Sequence, residues 1–249
     1  MKIDDESIQH VLRGEIPLDV KKVLIQAREL TSKNIFTLAF SLIIILAMFF
    51  IFGLFLVNHY DIKTMDDIQQ LQTQGGAIIG FVSTLVTAPL WAGVTMMSLR
   101  SLQQSPIKIS HVFAYYPLML ALGLAALIVS IFLEIGLALL ILPGLYVFIA
   151  SAFVAPLIVE RKLGPISAIV LSIKVTNAYF NKIAMIYLVL LLLMIVVIFS
   201  FGLAYFLVGP YYFNVKAVLY QTLLVNDKPE KCENGNDTSA THDSGIFNA

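Results

Sequence analysis

Four stretches of the chain run almost without charge: residues 35–57, 76–99, 112–159 and 183–225, the third broken only by Glu134 and the fourth only by Lys216. A hydrocarbon layer ~30 Å thick is crossed by a helix of ~20 apolar residues, so each of the first two predicts one crossing. As single helices, the third would be about 72 Å long and the fourth about 64 Å, at ~1.5 Å per residue. Each therefore has to fold back on itself. The reversals belong where helix is weakest, between Gly136 and Gly144 and near Gly209 and Pro210. The pattern predicts an all-α polytopic protein, six transmembrane helices arranged as three hairpins. Residues 1–34 form an interfacial segment, 35–225 the membrane domain, and 226–249 a polar tail expected to be disordered.

The placement of proline refines this picture. Proline is tolerated in the first turn of a helix, where its missing N–H would have no partner. Pro143, with Gly144, is expected to open the fourth helix just after a tight outer turn, and Pro210 to open the sixth. Pro89 and Pro156 each follow an alanine inside a span and are expected to kink it, as membrane helices allow. A second reading stays open, in which such a proline marks a discontinuous helix whose end faces a substrate.

Two polar-flanked segments carry helical apolar stripes. Val20, Val23, Leu24, Ala27 and Leu30 repeat at helical spacing with Lys21, Lys22 and Arg28 mostly opposite, after a start marked by Pro17, Leu18 and Asp19. From Pro165, a second stripe comprises Ile166, Ile169, Val170 and Ile173. Both are expected to lie at the cytoplasmic interface, basic face toward anionic lipid. In the outer loop, Met65, Ile68 and Leu71 predict one short helix.

Charge fixes the expected orientation. Lys2, Arg13, Lys21, Lys22, Arg28 and Lys33 precede the first span; Arg100 and Lys108 lie between the second and third. Arg161, Lys162, Lys174 and Lys182 lie between the fourth and fifth, and Lys228 and Lys231 follow the sixth. The other side holds only Lys63, beside Asp61, Asp66 and Asp67. By the positive-inside rule both termini are cytoplasmic. Residues 1–33 lack the short apolar core and cleavage site of a secretory signal. At 59% hydrophobic and 13% charged, with mean hydropathy +0.87, the chain is too apolar for an ordinary soluble domain. A net charge of zero gives no reason to expect nucleic acid. The expected partners are membrane lipids, other membrane proteins or a second copy of the chain.

Little chemistry is visible. No P-loop, GxSxG, HExxH or GxGxxG pattern occurs, and His10, His59, His111 and His242 are scattered. Cys232, the single cysteine, and His242 are too few for a metal site, so no metal, cofactor or catalytic residue is expected. The candidates for function are the intramembrane ionisable residues Glu134 and Lys216, with the helix-interrupting Pro89, Pro143, Gly144 and Pro210. Glu134 is expected near the outer headgroups and Lys216 nearer mid-membrane. Tyr60, Tyr115, Tyr116, Tyr146, Tyr179, Tyr205, Tyr211 and Tyr212 suit interfacial anchoring. Gly76 and Gly80, followed by Ser83, Thr84, Thr87 and Thr95, form a small-xxx-small pair expected at a close helix contact, internal or between copies.

From Leu142 the chain reads LPGLYVFIASAFVAPLIVERKLGPISAIVLSIKVT. Pro143-Gly144, Ala155-Pro156, the patch from Glu160 to Lys162, Gly164-Pro165, Ala168 and Ser172 resemble the signature of the YciC-like family of six-span bacterial inner-membrane proteins. The segment is also similar to membrane domains fused to some glycerophosphodiester phosphodiesterases. The resemblance implies the fold and a bacterial inner-membrane location. It implies no reaction, since no phosphodiesterase domain accompanies the segment. The expected function is non-enzymatic: membrane or envelope organisation through lipid or partner binding, with a small-solute or lipid transporter as the alternative.

Overall fold

The structure is a computed structural model that describes residues 5–64, 67 and 75–225. The expected outer helix around Met65, Ile68 and Leu71, and the tail 226–249 with Cys232 and His242, lie outside the described residues. Helix α1 spans Asp5–Leu12, α2 Val20–His59, α3 Gly76–Leu102, α4 Met119–Leu139 and α5 Ile141–Ala150. Then follow α6 Val154–Arg161, α7 Pro165–Ala178, α8 Phe180–Phe199 and α9 Tyr205–Tyr220, which continues as a π-helical turn through Gln221–Val225. Two 3-10 turns, Ile109–Phe113 and Tyr116–Leu118, lead into α4. No strand occurs among the described residues.

Five helical segments are long and apolar enough to cross a membrane: Val20–His59, Gly76–Leu102, Ile109–Leu139, Ile141–Arg161 and Phe180–Phe199. Their outer faces carry exposed apolar side chains, such as Phe50 at 67% and Phe199 at 80% exposure, and Phe201 in the turn after the last is 99% exposed. Contiguous apolar surface of this kind is stable in lipid and not in water. The protein-facing side chains gather in two adjoining clusters. The larger joins Val11, Leu18, Val23 and Ala27 to α3, α6, α7, α8 and α9, and the smaller places Leu38, Leu42 and Ile45 of α2 against Leu90, Val94, Met97 and Phe213.

The segment expected as a separate interfacial helix is instead the start of α2, one unbroken helix of 40 residues, about 60 Å long. Asp19 starts it as foreseen: its carboxylate accepts from the backbone N–H groups of Lys21 at 2.9 Å and Lys22 at 3.4 Å. Its stripe, Val23, Ala27 and Leu30, is buried against protein rather than free for lipid. The second surface helix also differs. Helix α7 turns Ala168, Ser172, Val175 and Thr176 inward and leaves Ile166 and Val170 exposed. Small side chains permit the closer docking, so the bulky stripe is the outer face.

The first reversal falls where expected. Leu140 is extended between α4 and α5, with Pro143 in the first turn of α5. Gly136 and Gly144 lie against each other, and a Cβ on Gly136 would sit 2.9 Å from the Gly144 backbone. The second reversal falls elsewhere. Phe201 and Gly202 take positive φ, and their N–H groups bond back to Ile198 and Val197, a Schellman ending of α8. That lets α9 begin at Tyr205, so Pro210 is its sixth residue rather than part of its opening turn. Pro156 is likewise not a kink. The chain leaves the helix at 151–153, and Pro156 sits in the first turn of α6.

Helix α9 is the innermost. Val208, Gly209, Pro210, Phe213, Asn214, Val215 and all of Ala217 to Tyr220 are buried, against α2 and α3 above all. An enclosed helix needs no apolar outer face. This explains why it can carry Asn214 and Lys216.

Candidate functional site

Three grooves open between the helices. One of about 560 Å³ lies between α5 and α8, lined by residues such as Leu142, Tyr146, Asn181 and Leu188. A second, of about 130 Å³, lies between α2 and α3. Neither has a charged lining residue. The third, about 480 Å³, lies where α3, α4, α5, α6, α8 and α9 meet, and Lys216 is the charged group in its wall.

The elements around this groove explain its shape. Small residues thin one wall: Ala88 and Ala92 of α3, Ala125 and Ala126 of α4, and Ala155 of α6. Aromatic rings thicken the other. Trp91 of α3 stacks on Phe213 of α9 at 5.9 Å, and Tyr212 meets Phe213 edge-on at 5.4 Å. Tyr212 also contacts Phe148 and Tyr187, each with centroids 6.5 Å away. The Lys216 ammonium lies 5.5 Å from the centre of the Tyr212 ring, within cation–π range. No ion pair to Lys216 forms among the described residues. Tyr205 and Lys216 both line the groove, so it extends about 16 Å along α9.

The serine and threonine hydroxyls in the wall donate within their own helices. Thr95 donates to the Trp91 carbonyl at 2.9 Å, Ser130 to Leu127 at 2.9 Å and Ser151 to Phe148 at 2.9 Å. Ser151 opens the break in the fourth span. A single side chain from α7 spans that break: Ser172, fully buried, donates to the Ala150 carbonyl at 2.5 Å and accepts from the Phe153 N–H at 3.2 Å. A buried backbone interruption is thereby satisfied internally, as the membrane requires.

Behind the groove a polar seam joins α2, α3 and α9. The Asn214 amide donates to Thr31 at 2.9 Å and to Asn34 at 3.2 Å, and Asn34 donates to Ser101 at 2.8 Å. Farther inward, Arg161 at the end of α6 donates to the Leu224 carbonyl and so pins the π-helical turn.

Of the residues singled out from sequence, Lys216 lines the groove, and Pro89 and Pro210 are buried beside the lining residues Ala88 and Gly209. Gly209 is pressed against Leu42, which a Cβ would approach to 2.6 Å. Pro143 and Gly144 belong to the α4–α5 hairpin, outside the groove. Glu134 is exposed on α4, next to the lining residue Leu133, and makes no ion pair with Lys216. Tyr179, Tyr205 and Tyr212 are engaged by the protein itself. Tyr179 is buried and accepts from the Ile16 N–H at 3.0 Å, while Tyr205 and Tyr212 line the groove. The small-xxx-small pair is not an internal contact, because a Cβ on Gly80 would meet nothing within 4 Å. Ser83, Thr84 and Thr87 bond to carbonyls one turn back on their own helix.

Among the described residues no three His, Cys, Asp or Glu side chains gather as a metal site. Comparison of the chain with protein families, curated proteins and solved structures returns no match.

Proposed function

We propose that the chain is a non-enzymatic, six-span protein of a bacterial inner membrane that binds a membrane lipid in the groove at Lys216 and so serves membrane or envelope organisation. The observation that carries this is the groove itself: apolar, half-open, about 480 Å³, within the usual range for small-molecule sites. Helix α9 with its π-helical turn supplies the sixth crossing. Residues 205–225 extend about 31 Å, enough for the hydrocarbon layer. The concentration of lysine and arginine in alternate loops supports cytoplasmic termini. The resemblance to the YciC-like family favours the same membrane.

Two experiments test the reading. A reporter active only outside the cytoplasm is expected to work when fused after Lys63 and to fail after Val225; the opposite pattern rejects the topology. Purified protein is expected to retain lipid through detergent exchange, and Ala126→Phe, which fills the groove, is expected to release it. Equal retention by wild type and variant rejects the site. Transport is the second reading, favoured because the groove reaches an intramembrane cation. It predicts saturable flux of a solute or lipid in reconstituted vesicles, abolished by Lys216→Met.

A further inference from the structure

We infer that the groove selects lipids with an anionic headgroup, and that Lys216 is the residue that recognises the charge. The inference rests on the lipid-binding reading above and adds the chemistry of the ligand to it.

The case begins with charge balance. An ammonium group inside a bundle is costly unless an opposite charge or a set of acceptors surrounds it. Lys216 has the Tyr212 ring on one side and no carboxylate within ion-pair distance among the described residues. The candidate partner from sequence, Glu134, is exposed on α4 and is not in the groove wall. The hydroxyls of Thr95, Ser130 and Ser151 each donate to a carbonyl of their own helix. Among the described residues no counter-charge faces the lysine, which leaves the place for one that enters the groove.

The walls then decide what kind of anion enters. Beyond Lys216 the lining is mostly apolar, alanine, leucine, valine and aromatic ring with the hydroxyls of Thr95, Ser130 and Ser151 turned to their own helices, for about 16 Å along α9. A small inorganic anion would gain nothing from that length, whereas an acyl chain would bury along it at ~25 cal/mol per Å². The groove is open at its side, so a chain can lie partly in the protein and partly in the surrounding lipid. One negative headgroup at the lysine and one chain along the alanine wall satisfy both features together.

Depth separates this site from ordinary lipid contact. Lys216 is eight residues before Leu224, whose carbonyl Arg161 holds, so its Cα lies about 12 Å along the helix from that end. A headgroup drawn to that level is held as a ligand and exchanges more slowly than surrounding lipid.

The test is native mass spectrometry of the full chain with phosphatidylglycerol and phosphatidylcholine of identical acyl chains, supplied in equal amounts. Wild type is expected to retain phosphatidylglycerol at least tenfold over phosphatidylcholine. In Lys216→Met, with similar length and no charge, the ratio is expected to fall below about twofold, while Lys216→Arg keeps it. Lys174→Met, an exposed site outside the groove, should change nothing. A wild-type ratio near one, or an unchanged ratio in Lys216→Met, overturns the selectivity and leaves lipid binding standing. Absence of any retained lipid from wild type overturns both. Competition by inorganic phosphate alone, without an acyl chain, would show a bare anion site and also overturn the inference. Melting of each variant within a few degrees of wild type guards against loss through misfolding.

Discussion

Ser172→Ala is the sharpest test of how the fourth span tolerates being broken. The hydroxyl is fully buried, donates to Ala150 and accepts from Phe153. Both backbone groups flank the 151–153 interruption, where the helical ladder supplies no partner of its own. Alanine removes one methylene-borne oxygen and leaves two buried backbone groups without that partner. An unsatisfied buried group costs roughly 1–3 kcal/mol. Measured polar contacts in membrane proteins run lower, averaging ~0.6 and reaching ~1.7 kcal/mol. Two such groups in a site closed to water and lipid place the expected loss at about 2 kcal/mol. For a chain of this size that corresponds to a melting shift of about 4–8 °C. Trp91, the single tryptophan, lines the groove and stacks on Phe213 at 5.9 Å, so its fluorescence reports loss of that packing in the melt. Ser167→Ala is the control, since Ser167 is exposed on the same helix. A shift under about 1 °C, or one equal to the control, would refute the idea that α7 holds the break together through this hydroxyl.

Other changes bear on packing and on the outer loop. Gly136→Ala forces a Cβ to within 2.9 Å of the Gly144 backbone, which cannot step aside, and is expected to cost about 1–3 kcal/mol in the same melt. Gly80→Ala meets nothing within 4 Å and is expected to be neutral or to stabilise by up to ~1 kcal/mol; a large loss would reveal a contact outside this chain. Asn214→Leu removes two hydrogen bonds to α2 and is expected to destabilise by about 1–2 kcal/mol, with Thr31→Val giving a non-additive second loss. In the outer loop, the backbone N–H groups of Lys63 and Thr64 hold the exposed Asp67 carboxyl below its ordinary value. Its support for the loop is therefore present above the ordinary carboxylate range and lost as pH falls through the lowered value. The amide shifts of Lys63 and Thr64 are expected to titrate together with a midpoint below 3.8, and a midpoint at or above that refutes the contact.

The helical class and the α4–α5 reversal were legible because lipid imposes a simple length rule and because two close-packed glycines flank the turn. The α8–α9 reversal was not. Its signal is Phe201-Gly202, and phenylalanine is a costly residue in a left-handed conformation, so Gly209-Pro210 looked the stronger breaker. The first amphipathic stripe was correct in spacing but wrong in partner: hydrophobic periodicity shows that a face is buried and does not tell protein from lipid. For α7 the stripe itself misled, since the docked side is small and partly polar, anchored by Ser172. At the site, Lys216 stood out because a charge in grease is rare. Trp91, Phe148, Tyr212 and Phe213 did not, because aromatics at helical spacing are ordinary core. Only the bundle brings α3, α5 and α9 together around the lysine.

The burial of α9 sets the order of synthesis against the order of assembly. The helix that fills the centre is the last to leave the ribosome among those described, so Leu38, Leu42, Ile45, Leu90 and Val94 must wait with an unfilled seat between them. During that interval the place later taken by Phe213 is open to lipid. Nascent chains halted before Tyr205 should therefore stay loosely associated and open to proteases, then tighten in one step when the final helix arrives.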